Sequence, residues 1–89
     1  MAQAQKEVLI YSTGACPYCV MARQLLQKKG VRYTEVRVDQ EPARRAEMER
    51  LSRRRSVPQI FIGERHVGGF DDMARMEHRG ELDALLRCA

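Results

Sequence analysis

The order of strand and helix signals around one cysteine pair constrains this chain more than any other feature. "EVLIY" (Glu7 to Tyr11) is an unbroken apolar run of strand length, as expected of a strand covered on both faces. "PYCVMARQLLQKKG" changes to helical spacing: Ala22, Leu25 and Leu26 share a face, Lys28 and Lys29 suit the last turn, and Gly30 is a natural stop. "VRYTEVRV" (Val31 to Val38) is β-branched and roughly alternating, which reads as a second strand. Strand, helix and strand joined by short loops predict a right-handed parallel crossover. Cys16 and Cys19 fall at the start of its helix.

The rest of the chain continues the pattern. Pro42 suits the first turn of a second helix, on which Glu41, Arg45, Glu49 and Arg53 recur at i,i+4 as a solvated stripe. Val57-Pro58, the run "QIFI", the turn candidate Gly63-Glu64 and "RHV" predict a β-hairpin that ends at Gly68-Gly69. Asp71 or Asp72 is the expected cap of a third helix, with Met73 and Met76 inward. "ELDALL" continues in helix, with Leu82, Leu85 and Leu86 on one side. No repeat or linker interrupts this, so the 89 residues read as a disordered polar tail over 1–6 and one domain over 7–89.

Composition removes several classes of function. Three cysteines, Cys16, Cys19 and Cys88, are odd in number with one tight pair, unlike a stapled secreted scaffold. "MAQAQK" precedes the first strand without the apolar region of a signal peptide, and no run approaches a membrane span, which points to a cytoplasmic protein with no membrane partner. The net charge of +4 comes partly from "ARRAEMERLSRRR". Such a run attracts anions, from nucleic acid to a small peptide. It lacks interleaved aromatic residues and several arginines have helical glutamate partners, so a basic nucleic-acid-binding module is the lesser alternative.

Cys16 stands at an N-cap or first-turn position with Pro17 just inside. Its sulfur there faces the free N–H groups of Tyr18 and Cys19 at the positive end of the helix, a setting that favours thiolate and makes Cys16 the nucleophile. Cys19, one turn further in, is expected to be shielded. Their α-carbons lie about 5 Å apart on a helix, within disulfide range. A structural disulfide closing so short a loop gains little, and a zinc site finds only His66, His78 and Cys88 as further ligands, without the usual spacing. No metal site is therefore expected. Redox chemistry is the reading that CxxC at a helix start inside a βαβ unit supports best.

"CPYC", "SVPQIFIG" and "HVGGFDD", in this order and over nearly the whole chain, resemble a glutaredoxin of the small dithiol class. Typical thioredoxins carry Cys-Gly-Pro-Cys after a tryptophan, which is absent here, and monothiol relatives carry CGFS. The resemblance implies a thioredoxin-like α/β fold with a four-stranded mixed sheet flanked by helices, and a cis Val57-Pro58 bond. The alternative is that Pro58 merely starts a strand.

It also implies a glutathione pocket. The Val57 backbone, before Pro58, would pair like a strand with the cysteinyl part of the tripeptide. Gly69 permits close approach, the N–H groups of Phe70 and Asp71 would receive the γ-glutamyl carboxylate, and Asp71 or Asp72 would face its ammonium. A capped helix and nothing more is the bland reading of the same stretch. Tyr18 would wall the pocket, whereas Tyr11 and Phe61 belong to the core. Many glutaredoxins have lysine where this chain has Thr13; Arg45 on the second helix and Arg54 resemble positions that could supply the missing charge. His66 and His78 are expected to be ordinary surface or strand residues, and Cys88 a bystander thiol.

The activity implied is glutathione-dependent thiol-disulfide exchange by a monomer. Cys16 attacks protein disulfides or glutathionylated proteins, Cys19 resolves, and glutathione is the reductant, regenerated by glutathione reductase and NADPH. No bound cofactor is implied. A cluster-bridged dimer with glutathione as co-ligand to iron-sulfur is the other alternative, for which Pro17 is less favourable than glycine.

Overall fold

The computed structural model describes residues 5–87. Its elements run β1 (Val8–Ser12), α1 (Pro17–Lys28), β2 (Thr34–Arg37), α2 (Pro42–Ser52), β3 (Gln59–Ile62), β4 (Arg65–Gly68), α3 (Phe70–His78) and α4 (Leu82–Leu86). The strands form one mixed sheet in the order β2-β1-β3-β4: β1 pairs parallel with β2 and antiparallel with β3, and β3 pairs antiparallel with β4. This is the thioredoxin-like arrangement that the resemblance implied.

Strand alternation divides the core in two. Val8 and Ile10 of β1 and Ile60 and Ile62 of β3 pack with Ala22 and Leu26 of α1, Met73 of α3, and Leu82 and Leu86 of α4. On the other face Tyr11, Val36 and Val38 meet Met48 of α2, with Leu9, Val57 and Phe61 packed against them. The Tyr11 and Phe61 rings meet edge to face, their centroids 5.8 Å apart. Both faces of β1 are thus covered, which is why its sequence is an unbroken apolar run.

Four local expectations change. β2 starts at Thr34, because the chain leaves α1 through Gly30 at φ 70° and Val31 turns back to donate to the Leu26 carbonyl at 3.0 Å. "ELDALL" does not extend the third helix: Gly80 adopts φ 75°, and α4 begins anew at Leu82. The cap of α3 is Gly69 rather than Asp71 or Asp72; Asp72, three residues in, accepts the Gly69 N–H at 2.9 Å. The charged residues of α2 pair as Arg44–Glu47 at 3.2 Å, not along the Glu41–Arg45–Glu49–Arg53 stripe.

The polar tail expected over 1–6 lies outside the described residues up to residue 4. Lys6 donates its N–H to the Leu86 carbonyl at 2.8 Å, and Gln5 bridges to Arg87. Lys29, with a side chain only 12% exposed, ties α1 to α3 and α4 through Glu77 and Asp83, each at 2.7 Å. No helix among the described residues is long and apolar enough to cross a membrane.

Candidate active site

The two cysteines sit where the buried strand β1 hands over to α1. Cys16 is the N-cap, with extended backbone (φ −93°, ψ 116°), and Pro17 opens the helix. The Cys16 sulfur accepts the Cys19 N–H at 3.3 Å, and its thiol lies 3.7 Å from the Val57 carbonyl as a donor. Cys16 is half-buried, while Cys19 is fully buried; both are free thiols. Burial pushes the Cys19 thiol up to about 12, and its hydrogen bond with Cys16 adds to this; the Thr13 backbone and the charge of Arg23 act in the opposite sense. A half-buried sulfur at a helix start beside a fully buried, protonated one is the asymmetry that thiol-disulfide exchange requires.

The loop before the pair is braced from β2. Gly14 donates its N–H to Asp39 at 3.1 Å, and Arg37 grips the same carboxylate through two bonds of 2.9 and 2.8 Å. Arg37 lies so close over Gly14 that an added Cβ would stand 2.2 Å from its guanidinium. Arg23 pairs with Glu35 at 2.7 Å, and Glu35 in turn accepts from the buried Ser12 hydroxyl.

On the other side of Cys16 a cavity of about 450 Å³ opens. Tyr18, 60% exposed, forms one wall. Ser56, Val57 and Pro58 form the second, and the peptide bond between Val57 and Pro58 is cis. Gly69, Phe70, Asp71 and Asp72, at the start of α3, form the third. The first N–H groups of that helix have no partner within it.

Among the charged residues, Arg54 lines the cavity and holds Asp72 at 3.1 Å. Gly69 first, and then Arg54, keep the Asp72 carboxyl below its ordinary range against the effect of burial. Arg45 does not line the cavity; its guanidinium donates to the Arg55 carbonyl at 3.3 Å. The geometry thus brings together Cys16, Tyr18, Val57, Pro58, Gly69, Phe70, Asp71 and Asp72 with Arg54, the second of the two expected cations, adds Ser56, and leaves Arg45 outside.

The glutaredoxin family model matches residues 8–67, from β1 into β4. The chain belongs to the glutaredoxin family. It is 54% identical over 79 residues to a glutaredoxin of Pseudomonas aeruginosa, covering 89% of this chain and 94% of that one. Glutaredoxin 3 of Escherichia coli is 48% identical over 80 residues, covering 90% and 96%. Among solved structures, the solution structure of a Brucella melitensis glutaredoxin superposes with a TM-score of 0.83 at 46% identity, covering 93% of this chain and 90% of that one. The crystal structure of a buckwheat glutaredoxin-glutathione complex superposes equally well, with a TM-score of 0.83 at 32% identity over 89% and 74%. As a glutaredoxin the chain is a thiol-disulfide oxidoreductase, and its Cys16-Cys19 spacing is that of a dithiol.

Sequence reasoning missed Ser56 in the cavity wall of this glutaredoxin and the buried residue that supports it from behind. Gln59, which seemed an ordinary member of "QIFI", is a fully buried polar residue bonded to Ser56 and His66. The available signal was a glutamine between Pro58 and Ile60 in a strand whose other residues are apolar.

Proposed function

We propose that this glutaredoxin uses glutathione as its reductant and as the recognised part of its mixed-disulfide substrates. The observation that carries the reading is the cavity beside Cys16: the Val57 carbonyl lies 3.7 Å from the nucleophilic sulfur, and the α3 N-terminus closes the far end. A γ-glutamyl carboxylate suits the free N–H groups of Phe70 and Asp71, and the adjacent ammonium suits Asp71 or Asp72. Tyr18 and Pro58 cover the apolar middle, and Arg54 offers a cation. The glutathione named in the buckwheat complex, on the same fold, supports this assignment.

Chemistry then follows from the two sulfurs. The Cys16 thiolate attacks one sulfur of a protein disulfide, forming a mixed disulfide and releasing a substrate thiolate. Cys19 gives its proton to a departing thiolate as it attacks the Cys16 sulfur, so the substrate leaves reduced and Cys16-Cys19 is oxidised. Two glutathione thiols restore the dithiol and leave as glutathione disulfide, the substrate of glutathione reductase and NADPH. With a glutathionylated protein, Cys16 takes the glutathione and one further glutathione releases it. The electrons come from thiols, the protein works as a monomer without a bound prosthetic group, and the cytoplasm supplies the reductant.

A mixed-disulfide reduction assay tests this by comparing two electron donors, glutathione with its reductase and thioredoxin reductase. Turnover with the first is expected. Turnover with thioredoxin reductase alone would overturn the glutathione assignment and leave the dithiol chemistry standing.

A further inference from the structure

We propose that Gln59, steadied by His66, is a positioning residue that aims the Val57 N–H into the active-site cavity. The inference rests on the proposed pairing of the Val57 backbone with the cysteinyl residue of a bound disulfide.

Gln59 is fully buried on β3, opposite Tyr11 of β1. A buried amide is costly unless its donors and acceptor are satisfied. Its Nε2 donates to the Ser56 carbonyl at 3.0 Å and to the Ser56 hydroxyl at 3.2 Å. A carbonyl can only accept, so the amide nitrogen must face Ser56 and Oε1 must face His66. His66 Nε2 is 2.6 Å from that oxygen, which also only accepts, so the imidazole carries its proton on Nε2. The ring is held against Phe61, with centroids 4.8 Å apart. Every hydrogen-bonding atom of the Gln59 side chain therefore has a partner, and its direction is set from β4.

The consequence lies one peptide bond away. The Ser56 carbonyl and the Val57 N–H belong to one planar trans peptide, so they point in opposite directions. Gln59 draws the carbonyl into the interior and thereby turns the N–H outward, where Ser56 and Val57 line the cavity. No backbone carbonyl among the described residues accepts that N–H. Gln59 touches neither sulfur and lines no part of the cavity; it acts through the peptide unit it grips.

The test uses Cys19→Ser protein trapped at Cys16 as a mixed disulfide, either with glutathione or with N-acetylcysteine methylamide, and reads the Val57 amide proton by NMR. A downfield shift is expected in both adducts. Adding Gln59→Met, which keeps the shape but cannot hydrogen-bond, is expected to remove the shift and weaken both thiol-exchange equilibria by about two- to tenfold. The rate of Cys16 alkylation by iodoacetamide should not change. His66→Phe, which keeps the ring against Phe61, should give a smaller loss of the same kind and serves if Gln59→Met does not fold. An unchanged Val57 shift and unchanged equilibria in the folded variants would overturn the inference, as would a Val57 amide that moves in neither adduct. A shift with N-acetylcysteine methylamide alone would support the role of Gln59 and count against glutathione.

Discussion

Cys19 donates its backbone N–H to the Cys16 sulfur at 3.3 Å while its own thiol is fully buried beneath that sulfur's helix turn. Two identical side chains one turn apart therefore meet opposite surroundings: one accepts the Cys19 N–H beside the Val57 wall of the cavity, without the Tyr18 N–H expected as a second donor, and the other is cut off from water. Burial raises the free energy of the charged sulfur, whereas N–H groups aimed at a sulfur lower it.

Cys16→Ser is expected to abolish disulfide reduction of every kind, because a hydroxyl does not ionise near neutral pH. Cys19→Ser should keep deglutathionylation and lose most dithiol reduction, since only the resolving step is removed. Parallel assays on a glutathionylated peptide and a protein disulfide check this. Equal loss of deglutathionylation in the two variants would contradict the division of labour.

The Cys19 thiol makes alkaline stability depend on its protonation. Folding favours its neutral form, with a pKa pushed up to about 12 by burial and then by Cys16. Its contribution is fully present below the unfolded thiol's pKa of about 8.5 and is lost as pH rises toward the folded value. Denaturant titrations of the reduced protein should show stability falling across that window. Cys19→Ser should fall less steeply, and identical slopes would refute the shift.

Asp72 acts in the opposite direction. The Gly69 N–H, and then Arg54, hold its carboxyl below the ordinary range, so its contribution is present above the unfolded pKa of about 3.9 and is lost as pH falls through the folded value. Asp72→Ala should cost about 1 kcal/mol at neutral pH, as the loss of a helix-start hydrogen bond does. The gap between wild type and variant should close in acid. A gap that is constant from neutral pH into acid would exclude the linkage.

Arg54, not Arg45, stands in the cavity wall, so Arg54→Gln is expected to raise the KM for glutathione and Arg45→Gln to leave it nearly unchanged. The Arg54 side chain is 48% exposed, and an exposed pair contributes roughly 0.2–1 kcal/mol, so the change should stay within about fivefold and shrink with salt. Thr13→Lys should lower the KM within the same limit. Steady-state kinetics at low and high ionic strength separate these cases; a larger effect at Arg45 would reverse the assignment.

The parts of the site that were legible in the sequence are those in which spacing is itself the geometry. CPYC after a buried strand puts one sulfur at a helix start and the other a turn inside, because three residues nearly complete a helical turn. Gly68-Gly69 before two aspartates was legible as a helix start, although the cap proved to be Gly69, whose own N–H the Asp72 carboxylate accepts. The strand and helix periods likewise declared the βαβ unit and the hairpin, apart from the last helix, which Gly80 divides in two.

What the chain by itself determined, then, is the order of its elements, the asymmetry of Cys16 and Cys19, and the family resemblance of its three motifs. Only the tertiary structure decided between Arg45 and Arg54. Arg45 lies in the first half of α2 and Arg54 just beyond its end, with the same charge and reach; the turn at Arg53, at φ 61°, brings the Arg55 carbonyl to the Arg45 guanidinium and the Arg54 guanidinium to Asp72. It also decided the role of Gln59, whose partners Ser56 and His66 lie on either side of it in sequence and meet it only when β3 pairs with β4 and the preceding loop folds back. Local propensity reports what a residue does to its own backbone, but a buried amide's hydrogen bonds depend on which segments converge on it, and that is known only after the sheet has formed.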